Sequence, residues 1–85
     1  MLSPRCFELL SCLCNNLFEE GEGLEEIRGK RGALHGYRTT RTKREFSRDV
    51  IFTAQGNGWL DGTHVTETGF LRFQDALRER SQESA

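Results

Sequence analysis

The chain has 85 residues, of which 35% are hydrophobic and 29% are charged, and its formal net charge is −1. A chain of this length forms one small domain that buries about 60% of the surface its unfolded form exposes. Six Phe residues and one Trp argue against wholesale disorder. We therefore expect a single domain over residues 1–80 and a disordered C-terminal tail over residues 81–85.

The small net charge conceals two separate charged blocks. Residues 8–26 contain six acidic and no basic residues, whereas residues 28–48 contain eight basic residues and one acidic residue. A cluster of basic side chains attracts the phosphate backbone of nucleic acid or an acidic protein surface. The alternative is that the basic block only neutralises the acidic block in the folded protein.

The cysteines and histidines are not arranged as a metal site. All three cysteines lie within residues 6–14, and the two histidines stand alone. We therefore expect no metal, no cofactor and a reducing compartment. The apolar run from Cys6 to Phe18 is too short to span a bilayer and has no signal-cleavage motif. These features predict a cytoplasmic protein with no membrane partner and no evident small-molecule ligand.

The first predicted helix covers residues 4–19. Ser3 is suited to the N-cap position, and Pro4 is suited to the first helical position because its missing N–H costs nothing there. The apolar stripe of this helix is wide enough to serve both a core and a partner. We assign four of its residues to a dimer or partner interface, with burial inside the monomer as the alternative: Phe7, Leu9, Leu13 and Phe18.

A short second helix is predicted over residues 22–30. Leu24 and Ile27 have helical spacing there. The basic stretch that follows contains Gly29, Gly32 and Gly36 and has no hydrophobic periodicity. It is therefore predicted to be a loop.

A third helix is predicted over residues 42–55. Thr42 and Glu45 match a capping box, in which each side chain accepts from the backbone N–H of the other residue. The β-branched and aromatic run within residues 49–54 also fits a strand, which is the alternative. As a helix, the segment directs Phe46 towards the core and places four residues together on the opposite face: Arg44, Arg48, Ile51 and Gln55.

The most readable local signal is a β-hairpin over residues 58–66 followed by a helix over residues 67–80. The pair Asp61-Gly62 favours a type I′ turn because Gly readily adopts positive φ. Thr66 can cap the last helix, since its hydroxyl oxygen can accept from the first free N–H groups.

Parts of the second half carry a family pattern. They are FSRDV at residues 46–50, GWL at 58–60 and HVTETG at 64–69, followed by Leu77. This pattern resembles the winged helix-turn-helix family of small DNA-binding regulators, in which a recognition helix leads into a wing hairpin and a last helix. The resemblance implies an α+β, mostly α, winged helix-turn-helix-like fold.

The resemblance also implies a DNA-binding surface. Arginine can pair with guanine, glutamine with adenine, and an aliphatic side chain can contact a thymine methyl. The base-reading positions would be Arg44, Arg48, Ile51 and Gln55. Thr63 and His64 would lie on the wing near the DNA backbone or minor groove. The phosphate contacts would be Arg38, Arg41 and Lys43.

Two functions remain open. No catalytic constellation is visible, so we expect a protein that is not an enzyme. The first hypothesis is DNA binding by a small, homodimeric transcription regulator. The alternative is a protein-binding inhibitor or adaptor, of the phage or mobile-element type, that docks through its charged surfaces on a host protein or a nucleic-acid-binding enzyme.

Overall fold

The computed structural model describes residues 2–16 and 19–83 and shows a small α+β fold. In the described part of the chain, three helices enclose short antiparallel strands. The elements in chain order are α1 (Pro4–Leu13), β1 (Cys14–Asn16), β2 (Glu19–Glu20), β3 (Leu24–Arg28), β4 (Leu34–Thr39), β5 (Glu45–Ser47), α2 (Arg48–Gly56), β6 (Leu60–Asp61), β7 (His64–Val65) and α3 (Glu67–Glu83).

The largest sheet has the order β3-β4-β5, and all its pairs are antiparallel. Residues opposite each other on neighbouring strands share a face. Tyr37 is opposite both Glu26 and Phe46, so these three residues lie on the face that carries the core. The strands β1 and β2 form a second pair, and β6 and β7 form a third.

The core consists of two clusters that share α1. One cluster joins α1 to the large sheet and α2, and its buried members are Leu9, Leu13, Leu24, Tyr37, Phe46, Ile51, Ala54 and Leu60. The other joins α1 to α3, and its buried members are Leu2, Cys6, Leu10, Cys14, Phe70, Phe73 and Ala76. Within the described residues, the apolar side chains of α1 are therefore covered on two sides inside the monomer.

The predicted start of the first helix is confirmed, but its predicted end is wrong. Ser3 caps α1, and its Oγ accepts from the N–H of Cys6 at 3.3 Å. The helix ends at Leu13, where the chain turns back so that Gly21 N–H donates to the Leu13 carbonyl at 2.7 Å. The strands β1 and β2 replace the last helical turns.

The interface assigned to α1 is also wrong for its central residues. Leu9 and Leu13 are 0% and 2% exposed and belong to the sheet-side cluster. Phe7 is half-buried, with its ring centroid 5.5 Å from that of Phe73 and 3.6 Å from the Arg80 guanidinium carbon. Phe18 lies outside the described residues.

The predicted helix over residues 22–30 is a strand, and the predicted loop after it contains another. Leu24 and Ile27 lie on opposite faces of β3, because side chains three residues apart alternate across a strand. Leu24 is buried in the core and Ile27 is half-buried on the other face. The glycine-rich segment supplies β4, whose Gly36 lies opposite both Ile27 and Ser47.

The helix predicted over residues 42–55 begins six residues later, at Arg48. The capping box does not form, because Thr42 donates its hydroxyl to Glu22 and Glu45 belongs to β5. Within residues 49–54, where helix and strand were both open, the chain is helical. Burial of Ile51 and Ala54 against the sheet supports this helix.

The hairpin and the last helix are confirmed, with small changes. Asp61 pairs with His64, so the loop is Gly62-Thr63, one residue later than predicted. Within that loop only Gly62 has positive φ (64°), the pattern of a type II′ turn. Thr66 Oγ1 accepts from Gly69 N–H at 3.1 Å and caps α3.

The last helix continues through residues 81–83, which the sequence assigned to a tail; residues 84 and 85 lie outside the described part. Across residues 2–16 and 19–83, no helix is long and apolar enough to cross a bilayer.

Candidate nucleic-acid interface

The predicted base-reading face does not form. Ile51 is 0% exposed and packs in the core against the large sheet, so its side chain cannot contact a base. Gln55 is half-buried, and its Nε2 donates to the Gly62 carbonyl at 2.9 Å. Gln55 therefore links α2 to the following hairpin.

The two arginines of the predicted base-reading face come before and after β5 in the sequence. Arg44 precedes β5, and its Nη1 lies 2.5 Å from Glu8 Oε1 on α1. Arg48 follows β5 as the first residue of α2, and its side chain is exposed. Because a strand separates them, Arg44 and Arg48 do not share one helix face.

The β4–β5 turn is held by Glu22, an acidic residue between Gly21 and Gly23. Glu22 Oε1 accepts from the backbone N–H groups of Arg41 and Thr42, both at 2.9 Å. Its Oε2 accepts from the Thr42 hydroxyl at 2.8 Å. One carboxylate thus satisfies three donors of a turn that lies about 20 residues away along the chain.

The hydroxyl of Thr39 extends this network into the sheet. Thr39 is 0% exposed, and its Oγ1 accepts from Arg44 N–H at 2.8 Å. Its hydroxyl lies 2.9 Å from Thr42 Oγ1. The Thr42 proton is directed to Glu22, so Thr39 donates to Thr42 in this pair.

The environment of Glu22 strongly favours its charged form. Desolvation by itself raises the pKa of the Glu22 carboxyl, but the hydrogen bonds from Thr42 and Arg41 outweigh it and lower the pKa to about 2. The carboxylate is therefore charged throughout the physiological pH range.

Half of the basic block is paired with the acidic block. Four of its eight basic residues form ion pairs within the described chain: Arg28 with Glu26 at 2.6 Å, Arg38 with Glu25 at 2.9 Å, Lys43 with Glu25 at 3.6 Å, and Arg44 with Glu8 at 2.5 Å. Hydrogen bonding to Arg38, with the nearby Lys43 charge, lowers the pKa of Glu25. These contacts are consistent with the neutralisation alternative for this half of the block.

The other half is exposed. Among the described residues, Lys30, Arg31, Arg41 and Arg48 have no ion-pair partner. Arg41 is in the β4–β5 turn, beside the paired charges.

The other three unpaired basic residues, Lys30, Arg31 and Arg48, lie at the opposite end of the sheet, where β3 ends, β4 begins and β5 ends. We call Lys30, Arg31 and Arg48 the basic end. β3 and β5 are two strand spacings apart, about 10 Å, so the three cations span a short surface.

Two residues of the hairpin, Thr63 and His64, line a small cleft. A cavity of about 160 Å³ lies between the hairpin, the segment around Glu22 and the β4–β5 turn, and both Thr63 and His64 line it. His64 Nδ1 lies 3.2 Å from Glu20 Oε1. A carboxylate at this distance makes the cleft a poor place for a phosphate.

Two of the thiols, Cys12 and Cys14, are poorly suited to nucleophilic chemistry. Burial, with a smaller contribution from Glu20, raises the pKa of the Cys14 thiol to about 12. Burial also raises the pKa of Cys12, the half-buried cysteine. Such groups are protonated at neutral pH and are weak nucleophiles. Within the described ranges, no three His, Cys, Asp or Glu residues are grouped to hold a metal ion.

Sequence reasoning missed Glu22. It appeared only as one acid of the block, and nothing local marks its role except the glycine on each side. Those glycines were the available signal, since Gly23 N–H also donates to Thr40 Oγ1 at 3.1 Å and brings the segment against the turn.

Comparison with known proteins gives no relative. No protein-family model, no curated protein and no solved structure matches the chain.

Proposed function

We propose that the chain is a small, non-enzymatic DNA-binding regulator that contacts the phosphate backbone through its basic end. The observation that carries the proposal is that Lys30, Arg31 and Arg48 are exposed at one end of the sheet without ion-pair partners among the described residues. Cations without partners can neutralise phosphates without first losing an ion pair. Phosphate contacts position a protein on DNA but do not read its sequence.

This proposal changes the mechanism that the winged-helix resemblance implied. The order of α2, a hairpin and α3 is compatible with the second half of that family's pattern. The contacts proposed here come from the β3–β4 turn and the first residue of α2, instead of from a recognition-helix face or the hairpin. Arg38, Lys43 and Arg44 are secondary, because their ion pairs with acids must loosen before they contact DNA.

A titration of binding against salt tests the proposal. The probe is a random-sequence DNA duplex, and affinity is measured by fluorescence anisotropy between low and physiological salt. Three phosphate contacts predict a slope of log K against log salt concentration of about −2.7. The variant Lys30→Ala/Arg31→Ala/Arg48→Ala should lose most of that slope.

The chain offers a control with the same change of charge. Arg38→Ala/Lys43→Ala/Arg44→Ala also removes three cations, but these are the paired ones. It should keep most of the slope. The proposal fails if the wild type does not bind even at low salt, or if both variants lose the same fraction of the slope.

A second candidate is protein binding by an inhibitor or adaptor, and the paired charges favour it. Glu25, Arg38 and Lys43 are 39%, 42% and 59% exposed at the side chain, so opposite charges alternate on an accessible surface. Such a pattern of alternating charges complements a protein surface of mixed charge better than it complements the uniformly negative backbone of DNA. Absence of DNA binding at low salt in the titration would favour this candidate.

A further inference from the structure

The outer edge of β3 is an unpaired sheet edge. β3 is terminal in the order β3-β4-β5, and no strand among the described residues pairs with its other side. The hydrogen bonds at its two ends identify which backbone groups point outwards. Thr40 N–H donates to the Gly23 carbonyl at 3.0 Å, and Gly29 N–H donates to the Ala33 carbonyl at 2.9 Å.

The odd-numbered residues of β3 therefore face β4, and the even-numbered ones direct N–H and C=O outwards. The residues with outward backbone groups are Leu24, Glu26 and Arg28.

The opposite edge of the sheet, β5, is contacted by a side chain of α1. Arg5 on α1 donates from Nη2 to the Glu45 carbonyl at 2.8 Å, and its guanidinium carbon lies 4.7 Å from the Phe46 ring centroid. The outward carbonyl of β5 is therefore already bonded. The β3 edge is also the longer of the two, with five residues against three in β5, so it is the better edge for adding a strand.

We propose that two copies of the chain associate by antiparallel pairing of their β3 edges around a two-fold axis at Ile27. In this register Ile27 lies opposite Ile27 of the second copy, and Glu26 lies opposite Arg28 of the second copy on both sides of the axis. Each Glu26–Arg28 pair exchanges two backbone hydrogen bonds. The proposal does not depend on DNA binding.

The side chains of β3 match this register. Glu26 and Arg28 lie on one face, where they already form an ion pair at 2.6 Å within one chain. Ile27 is half-buried on the other face. In an antiparallel pair, directly opposite residues of opposite charge are stabilising and like charges are destabilising.

The two neighbouring symmetric registers are disfavoured by charge. Centring the axis on Glu26 places Glu26 opposite Glu26, and centring it on Arg28 places Arg28 opposite Arg28. Charged edge strands usually prevent pairing because their charges repel. In β3 the order of the charges makes one register self-complementary, which explains how this edge can be charged and still pair with itself.

The interface is small, so the association is weak. A pairing of five-residue strands buries less than the ~1,000 Å² of a stable interface. Sedimentation equilibrium under reducing conditions should therefore cover concentrations from about 10 µM to about 1 mM, where dissociation constants in this range are measurable. The wild type should pass from monomer to dimer, with no larger species.

Two charge reversals test the register. Glu26→Arg places two arginines opposite each other, and Arg28→Glu does the same with two glutamates. Each variant alone should raise the dimer Kd by at least ~10-fold. An equimolar mixture of the two variants should associate again as a heterodimer, because every opposite pair is then of opposite charge.

The control is Arg78→Glu, which makes the same charge change as Arg28→Glu at an exposed position on α3. It should leave the Kd unchanged. A wild type that stays monomeric at the highest concentration overturns the proposal, and so does dimerisation that survives both single reversals. A mixture that fails to associate overturns the register.

Discussion

The two tight turns that join antiparallel strands near the cleft are stabilised in different ways. The β6–β7 turn depends on its own backbone, since Gly62 provides the positive φ of 64°. The β4–β5 turn includes Lys43, a non-glycine residue with φ of 58°, and is held by Glu22 from another segment. The first turn is specified locally, and the second is stabilised by a carboxylate that is distant in the sequence.

This difference predicts that the two turns respond to different changes. The β4–β5 turn should be sensitive to the charge and hydrogen bonds of Glu22. The β6–β7 turn should be sensitive to the backbone freedom of Gly62.

Replacement of Glu22 should have the largest effect. Glu22→Ala leaves the N–H groups of Arg41 and Thr42 and the Thr42 hydroxyl without their acceptor, and it should lower the free energy of unfolding by about 2–4 kcal/mol. Urea unfolding followed by circular dichroism measures this. Glu22→Gln keeps one acceptor oxygen and the shape of the side chain, so it should lose about half as much. Equal losses in both variants would mean that packing, and not the charged acceptor, holds the turn.

Lowering the pH should gradually remove the stabilisation that the Glu22 carboxylate provides. The folded pKa of Glu22 is about 2, below the ordinary value of 4.5, so the carboxylate stabilises the fold fully above pH 4.5 and loses this effect as the pH falls through 2. The contribution is on the order of 2–3 kcal/mol. The stability difference between wild type and Glu22→Gln should therefore shrink between pH 5 and pH 2. A difference that is constant over this range would contradict the low pKa.

Gly62→Ala should have a moderate effect. Alanine is strained at a φ of 64°, so the variant should lose about 1–2 kcal/mol of unfolding free energy at any pH. Gly56→Ala is the matched control, since Gly56 lies in α2, has no positive φ and has open space around its Cβ position. The control should be neutral or stabilising by up to about 1 kcal/mol.

Lys43→Gly should have the smallest effect, and a stabilising one when compared with Lys43→Ala. Both variants remove the exposed ion pair with Glu25, but only glycine relieves the positive φ. The glycine variant should exceed the alanine variant by up to about 1 kcal/mol in unfolding free energy. Equal stabilities would show that the turn imposes no strain at this residue.

The same contrast explains how much of the fold the sequence predicts. The cap at Ser3, the hairpin and α3 were predicted because their determinants are a few residues apart. The spacing of Leu24 and Ile27 fits one helix face, yet here the two residues belong to opposite faces of a strand. Thr42 and Glu45 match a capping box, but Glu22, at a long sequence separation, takes the Thr42 hydroxyl.

The candidate site is predictable only in part, for a related reason. The basic block is visible in the sequence, and its exposed half includes Arg41 and Arg48 of the predicted set. The fold decides which basic residues form ion pairs, because it brings acidic residues such as Glu8 on α1 and Glu25 on β3 next to them. The burial of Ile51 depends on the sheet beneath α2, and the sequence did not predict that sheet.

The hydrogen bond from Arg5 to the β5 edge affects how copies of the chain can assemble. Chains that expose both edges of a sheet can add copies at each side without limit, which leads to filaments. Here one carbonyl of the β5 edge is bonded to Arg5 of the chain's own first helix, which makes that edge less available to another strand than the β3 edge. The proposed two-fold pairing uses the β3 edge of both copies, so only the two β5 edges remain at the ends of the joined sheet. In the proposed dimer, this contact from the first helix therefore favours a closed pair over a filament.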